Sequence, residues 1–192
     1  KWYFIDPKEA QKKLNLPRNP RDYTSIAVTT DDSNDEIVYA SSMGDGVIQY
    51  KNRTPVQSYN EKNAFKETAG GYGSGYCYID GLAFDKNGNL WMTSSEVNHA
   101  VLVLDKAGAW HRLDIEQLRG VYTINDILIT STNDKWIYVP RNTPKLVMIP
   151  NSESLDEVSS YEFTTLIDTD GKELTPSNYT CVAEDKDGYI WV

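Results

Sequence analysis

The chain has 192 residues, 40% of them apolar and 24% charged, with a formal net charge of −9. That length suits one domain burying roughly 70% of its unfolded surface. The acidic balance, with no basic stripe, argues against a nucleic-acid backbone or an anionic membrane as the main partner. No apolar run approaches the roughly 18 residues of a membrane-crossing helix.

The chain begins at Lys1 without a charged-then-apolar leader, which suggests a processed chain or a piece of a longer one. "DPKEAQKKL" (6–14) predicts a short helix, with Asp6 as cap, Pro7 at the first helical position and Leu14 on the apolar face. Beyond it, alternating patterns rich in Val, Ile, Thr and aromatic residues predict strands. "SIAVT" leads to a turn and a strand at Val38, followed by "GVIQY" (46–50) and "PVQSY" (55–59). "DGLAF" leads to Asn87-Gly88 and Trp91, followed by "AVLVLD" (100–105), the turn Lys106-Ala107-Gly108 and "AWHRLD" (109–114). "NDILI" leads to "STNDK" and Trp136, followed by "KLVMIP" (145–150) and "YEFTTLI" (161–167). "TCVAE" leads to Asp187-Gly188 and Trp191.

These pieces repeat. Asp85 stands six residues before Trp91, Asp185 six before Trp191, Thr130 six before Trp136 and Asp32 six before Val38. With Trp2, the marks fall 36, 53, 45 and 55 residues apart, and four of the five tryptophans lie on them. Asn-Gly and Asp-Gly supply the positive φ of a tight hairpin, and the preceding acid bonds to nearby amides. The tryptophan then packs on the neighbouring repeat. Four short antiparallel strands per repeat predict an all-β fold, a β-propeller. The expected units are a partial blade at 1–22, blades at 23–60, 76–115 and 122–167, and a partial blade at 178–192. Both ends fall on a second strand, so the expectation is an arc of about four blades of a larger ring.

"NYTCVAEDKDGYIWV" (178–192) and "IDGLAFDKNGNLWMTS" (79–94) resemble the two-component regulator propeller repeat. "VLVLDKAGAWHRLDI" and "IDTDGKELTPSNYTCVAEDKDG" are similar to the propellers of PorZ-type proteins of type IX secretion. The resemblance covers about residues 23–192 and implies a periplasmic or cell-surface module of a Gram-negative bacterium. Such a module would bind a glycan, a surface polysaccharide or a partner protein, without catalysis and without a cofactor. Two copies depart from the pattern: 125–139 lacks the turn glycine, and 25–41 has Val for Trp. "IDGLAFDKNGNLW" is also similar to calcium-dependent gluconolactonase propellers, but only Asp80 matches their ligand set, and it reads better as a strand-end acid.

Candidate ligand contacts lie on loops. "SSEVNHA" (94–100) offers Glu96, Asn98 and His99 between second and third strands. "AGGYGSGY" (69–76) offers Tyr72, Ser74 and Tyr76. It is not a nucleotide loop, because a strand rather than a helix follows it. "PRNTPK" (140–145) offers Arg141 and Asn142 to an anionic group. An ordinary polar loop is the competing reading of each. His111 alternates with Trp110 on an outer strand, predicting a solvated ring. Asp85 and Asp185 recur because the turn recurs, which makes them structural. Cys77 and Cys181 form no C-x-x-C pair; a disulfide and two buried free thiols both remain open, and a zinc site lacks ligands.

Overall fold

The computed structural model describes residues 4–65, 75–168 and 170–192. Within 1–22, the described residues contain helix α1 (Pro7–Leu14) and irregular chain, with no strand. Asp6 caps α1, its side chain accepting the Lys8 amide at 2.9 Å, and Asn15 ends it in the left-handed conformation at φ 52°. Trp2 lies outside the described residues.

The rest is built from strands. The first blade is β1 (Tyr23–Thr30), β2 (Glu36–Gly44), β3 (Gly46–Lys51) and β4 (Thr54–Tyr59). The second is β5 (Cys77–Phe84), β6 (Leu90–Ser94), β7 (Val101–Leu104) and β8 (Trp110–Leu113). The third is β9 (Ile127–Ile129), β10 (Lys135–Val139), β11 (Lys145–Ile149) and β12 (Tyr161–Phe163). Each is an antiparallel meander, and β2 also pairs with β5 at Met43–Tyr78 and Gly44–Cys77, joining the first two blades. The expected strand at 161–167 is split. Its second half forms β13 (Leu166–Ile167), which pairs with β14 (Glu173–Leu174). The last hairpin is β15 (Ala183–Glu184) with β16 (Ile190–Trp191). The fold is an arc of a β-propeller, with β1, β5 and β9 innermost.

The acid-to-tryptophan motif works as a unit. Asp85 Oδ1 accepts the Asn87 and Asn89 amides, each at 2.9 Å, and Oδ2 accepts the Trp91 indole N–H at 2.9 Å. Gly88 takes φ 84° in the turn. Asp185 repeats this with Asp187, Tyr189 and the Trp191 indole at 2.9, 3.0 and 2.8 Å. Where glycine is missing, asparagine takes the left-handed place: Asn34 has φ 62° and Asn133 φ 69°. Asparagine tolerates that region better than other side chains, so both irregular copies still form hairpins.

The mark in the first blade needs correction. Asp31, not Asp32, makes the turn, its Oδ1 accepting the Ser33 and Asp35 amides at 2.9 and 3.0 Å. Ile37 pairs with Thr29 and Lys51 as Trp91 pairs with Ala83 and Val103. Ile37, not Val38, is therefore the counterpart of Trp91. Val38 points to the opposite face, where α1 covers Ala40, Ile48 and Tyr50.

The blades stack through apolar faces. Leu82, Leu90, Met92 and Leu102 of the second blade meet Ala27 and Val47 of the first, with Phe65 at the margin. Trp91, Val101 and Val103 meet Ile127, Ile137 and Val147 of the third. Trp91 is 2% exposed, and the buried Lys135 places its Nζ 4.6 Å from the indole centroid. Trp136 stacks on Phe163 in a fourth cluster with Tyr179 and Val182. Neither cysteine forms a disulfide: Cys77 is buried, and Cys181 is exposed rather than buried as one reading expected. Burial pushes the Cys77 thiol up to about 12, the charge of Glu61 adding to it.

Candidate functional site

The meander puts the turns between first and second and between third and fourth strands of every blade at one end. The loop between second and third strands and the connection to the next blade lie at the other, the loop face. In the second blade these two segments are locked together: the Glu96 amide donates to Val121 O and the Gly120 amide to Val97 O, both at 2.8 Å. The 94–100 loop thus shares an end with the connection to the third blade.

Near the axis the loop face is aromatic and polar. Tyr76 stacks on Tyr78, centroids 6.3 Å apart at 20°. Burial raises the Tyr78 phenol, and the charges of Asp80, Tyr76, Tyr122 and Glu96 act in the same direction. Asp80 accepts the Ser95 hydroxyl at 2.7 Å, and Ser95 Oγ accepts the Ile124 amide of the next connection at 2.8 Å. Burial raises the Asp80 carboxyl to about 7, the Ser95 bond opposing and repulsion from Asp126 adding.

Two adjoining pockets open on this face. One, of about 430 Å³, is lined by Tyr78, Thr123, Asn125 and Arg141, with Tyr179 and Thr180 on its far side. The other, of about 170 Å³, is lined by Tyr122, Thr123, Arg141, Asn142 and Lys145. Arg141 and Thr123 form the wall between them. Asn125 Nδ2 donates to Tyr138 Oη at 3.3 Å, and Tyr138 Oη donates to Thr180 O at 3.2 Å, tying the pocket floor together. Tyr179 is 4% exposed, and its hydroxyl has no hydrogen-bond partner among the described residues. Aromatic faces, carboxamides and a guanidinium at one opening can hold a polar ligand with ring or sugar-like faces.

The predicted residues divide. Arg141 and Asn142 line these pockets, Asn142 at φ 65°. Tyr76 and Glu96 stand beside Tyr78, Glu96 at φ 61°. Asn98 is exposed on the same loop. His99 lies farther out, near Asp114, whose carboxyl is lowered first by Arg119 and least by His99. Tyr72 and Ser74 lie outside the described residues. His111 is not simply solvated: its Nε2 lies 2.9 Å from Asp105 Oδ2, filling in its own hairpin the place that the indole fills beside Asp85. Tyr78, Asp80, Tyr122, Asn125 and Tyr179 were not among the expected contacts. The sequence carried a signal for some of them, because Asp80, Asn125 and Thr180 each stand 11 residues before a marking tryptophan. Tyr78, Thr123 and Asn178 each stand 13 before. Among the described residues, no group of three or more His, Cys, Asp or Glu side chains is placed to hold a metal.

Residues 173–192 match the family model described as two component regulator propeller. The chain carries a two component regulator propeller repeat. The resemblance read from "NYTCVAEDKDGYIWV" is borne out. No curated protein matches the chain. Among solved structures, the chain is similar to PorZ, described as an essential bacterial surface component of the type-IX secretion system of Porphyromonas gingivalis. The identity is 19%, the TM-score 0.77, and the match covers 97% of this chain and 25% of that one. It is also similar to the extracellular domains of the hybrid two component systems BT3049 and BT4673 from B. thetaiotaomicron. The first is 17% identical with TM-score 0.55, covering 90% of this chain and 20% of that one. The second is 12% identical with TM-score 0.56, covering 88% and 26%. At these identities the structures establish the propeller fold. The chain spans about a quarter of the length of PorZ.

Proposed function

We propose that this regulator-propeller chain forms part of a non-catalytic binding or sensing module, at the periplasmic side or surface of a Gram-negative bacterium. The observation that carries the reading is the paired opening around Arg141, where Tyr78, Tyr122, Asn125 and Asn142 from successive blades converge. Loops held on rigid sheets are where propellers have freedom to diversify, and loop-borne aromatic and polar groups serve recognition. The similar structures, a surface component of type-IX secretion and extracellular domains of hybrid two component systems, support an accessory of surface secretion or the ectodomain of a sensor. The ligand is a glycan or surface polysaccharide; a partner protein is the other outcome.

A glycan array followed by thermal shift on the full-length protein tests this, since a ligand that binds the folded state raises the melting temperature. Tyr78→Ala and Arg141→Ala should each weaken binding by roughly tenfold or more, the effect of about 1.4 kcal/mol. Undiminished binding by both variants would place the ligand elsewhere. Calcium-dependent hydrolysis of a lactone by the purified protein would instead favour the gluconolactonase alternative.

A further inference from the structure

The two complete inter-blade interfaces use equivalent positions with different residues. Between the second and third blades, Ala83, Trp91 and Val103 face Ile129, Lys135 and Ile149. The Trp91 ring fills that space, its N–H on Asp85 and the Lys135 ammonium against its face. By strand register, the same positions between the first and second blades are Thr29, Ile37 and Lys51 facing Phe84, Leu90 and Leu104. A branched aliphatic chain stands where the indole would be. A crevice of about 570 Å³ opens there, and all six of these residues line it.

Of the two polar groups that serve Trp91, the carboxylate has a direct counterpart in this crevice, and an ammonium reaches it from another position, Lys51 standing where Val103 stands in the second blade while Leu90 takes the place of Lys135. Asp31 carries the same turn as Asp85, but its Oδ2 lies 2.7 Å from Lys51 Nζ instead of meeting an indole N–H. Lys51 Nζ is also 2.9 Å from Asp35 Oδ2. A carboxylate oxygen keeps lone pairs for a second donor, and an ammonium over a ring face is attracted to it. The rest of the lining is mixed: Ile37, Phe84, Leu90 and Leu104 give it an apolar wall, and Asp32, Asp105 and Lys106 add charge at the turn end. The volume lies in the usual range for small-molecule sites.

We propose that this crevice, at the turn end and opposite the loop face, binds a planar aromatic ring of indole size bearing an N–H donor. The ring occupies the place of the missing tryptophan, its N–H on Asp31 Oδ2 and its face toward Lys51. The site is separate from the Arg141 pockets, so the failure of either proposal leaves the other standing.

Indole itself is the probe. In the protein with ¹³C-labelled isoleucine methyls, the Ile37 signal, assigned by its loss in Ile37→Val, should shift saturably with a midpoint of about 1 mM, typical of so small a ligand. N-methylindole, which has no N–H to donate, should bind roughly fivefold or more weakly. Ile37→Trp should supply the ring from within and abolish the response. No saturable shift up to the solubility limit of indole, equal binding of N-methylindole, or full binding by a folded Ile37→Trp variant would overturn the proposal. Should Ile37→Trp fail to fold, the comparison of the two probes on the parent protein still decides it.

Discussion

At the scale of single residues, one carboxylate does two jobs in each regular repeat. Asp85 Oδ1 closes the hairpin through backbone amides, and Oδ2 fixes the indole that the next blade packs against. The two jobs can be separated, because the same motif occurs in two environments. Around Asp85 the acid is 6% exposed and the indole 2%, whereas Trp191 is 65% exposed. Removing Asp85 leaves a buried indole N–H unpaired and takes a negative charge from near Lys135. Asp85→Ala should therefore destabilise by about 2–3 kcal/mol, the cost of a stranded buried donor plus its lost bond. Asp185→Ala should lose far less, because water replaces the carboxylate at the exposed indole. Chemical denaturation of the two variants measures this. Equal losses would mean that the motif acts only within its hairpin and contributes nothing to blade stacking.

At the scale of elements, the recurring hairpins were legible because turn chemistry and tryptophan spacing are local signals. The helix cap was legible for the same reason. The register of the first blade was not. Asp31 and Asp32 are adjacent acids, and Ile37 and Val38 are adjacent β-branched residues, so the pattern fits either phase. The turn's hydrogen bonds and the cover that α1 places over Val38 decide it. The loop face was half legible. Arg141 and Asn142 announce themselves on a polar loop, but Tyr78 and Asn125 meet only because β5 and β9 lie side by side, and no local pattern encodes that approach. Gly81 shows how close the inner strands come. A Cβ there would stand 2.7 Å from Ile127 N and 2.8 Å from Asp126 Cα, both backbone atoms of the next blade. Neither can move without shifting β9. Gly81→Ala should cost about 1–3 kcal/mol, as overpacking of tight interiors does. It should also disturb the Arg141 pockets more than the distant β7–β8 hairpin, a difference that hydrogen exchange would resolve. Uniform protection with unchanged stability would show that the inner strands have room to part.

At the scale of the whole molecule, the charge arrangement predicts how stability follows pH. Asp80 is buried at the inner end of the second blade, and its folded-state carboxyl is raised to about 7. An unfolded Asp titrates near 4, so between those values the folded state holds a proton that the unfolded state has released. Stability from this group is fully present below about pH 4 and is lost as pH rises through about 7. Asp31, Asp105 and Asp114 act in the opposite sense, held low by Lys51, His111 and Arg119 respectively. Their contribution is present above the ordinary carboxylate range and lost as pH falls through their lowered values. They lie at the surface, where screening keeps such pairs weak, so the neutral side of the profile is set by Asp80 together with Asp126, whose carboxyl burial also raises, with self-repulsion of the net charge of −9 adding to it. Asp80→Asn keeps an oxygen acceptor for Ser95 without the charge. It should leave the melting temperature at or below about pH 4 little changed and raise it at pH 8, by an amount corresponding to about 1–3 kcal/mol. Thermal melts across that range test the claim. An equal effect at both pH values would show that Asp80 is charged throughout, and that the axis of the propeller is wetter than its packing implies.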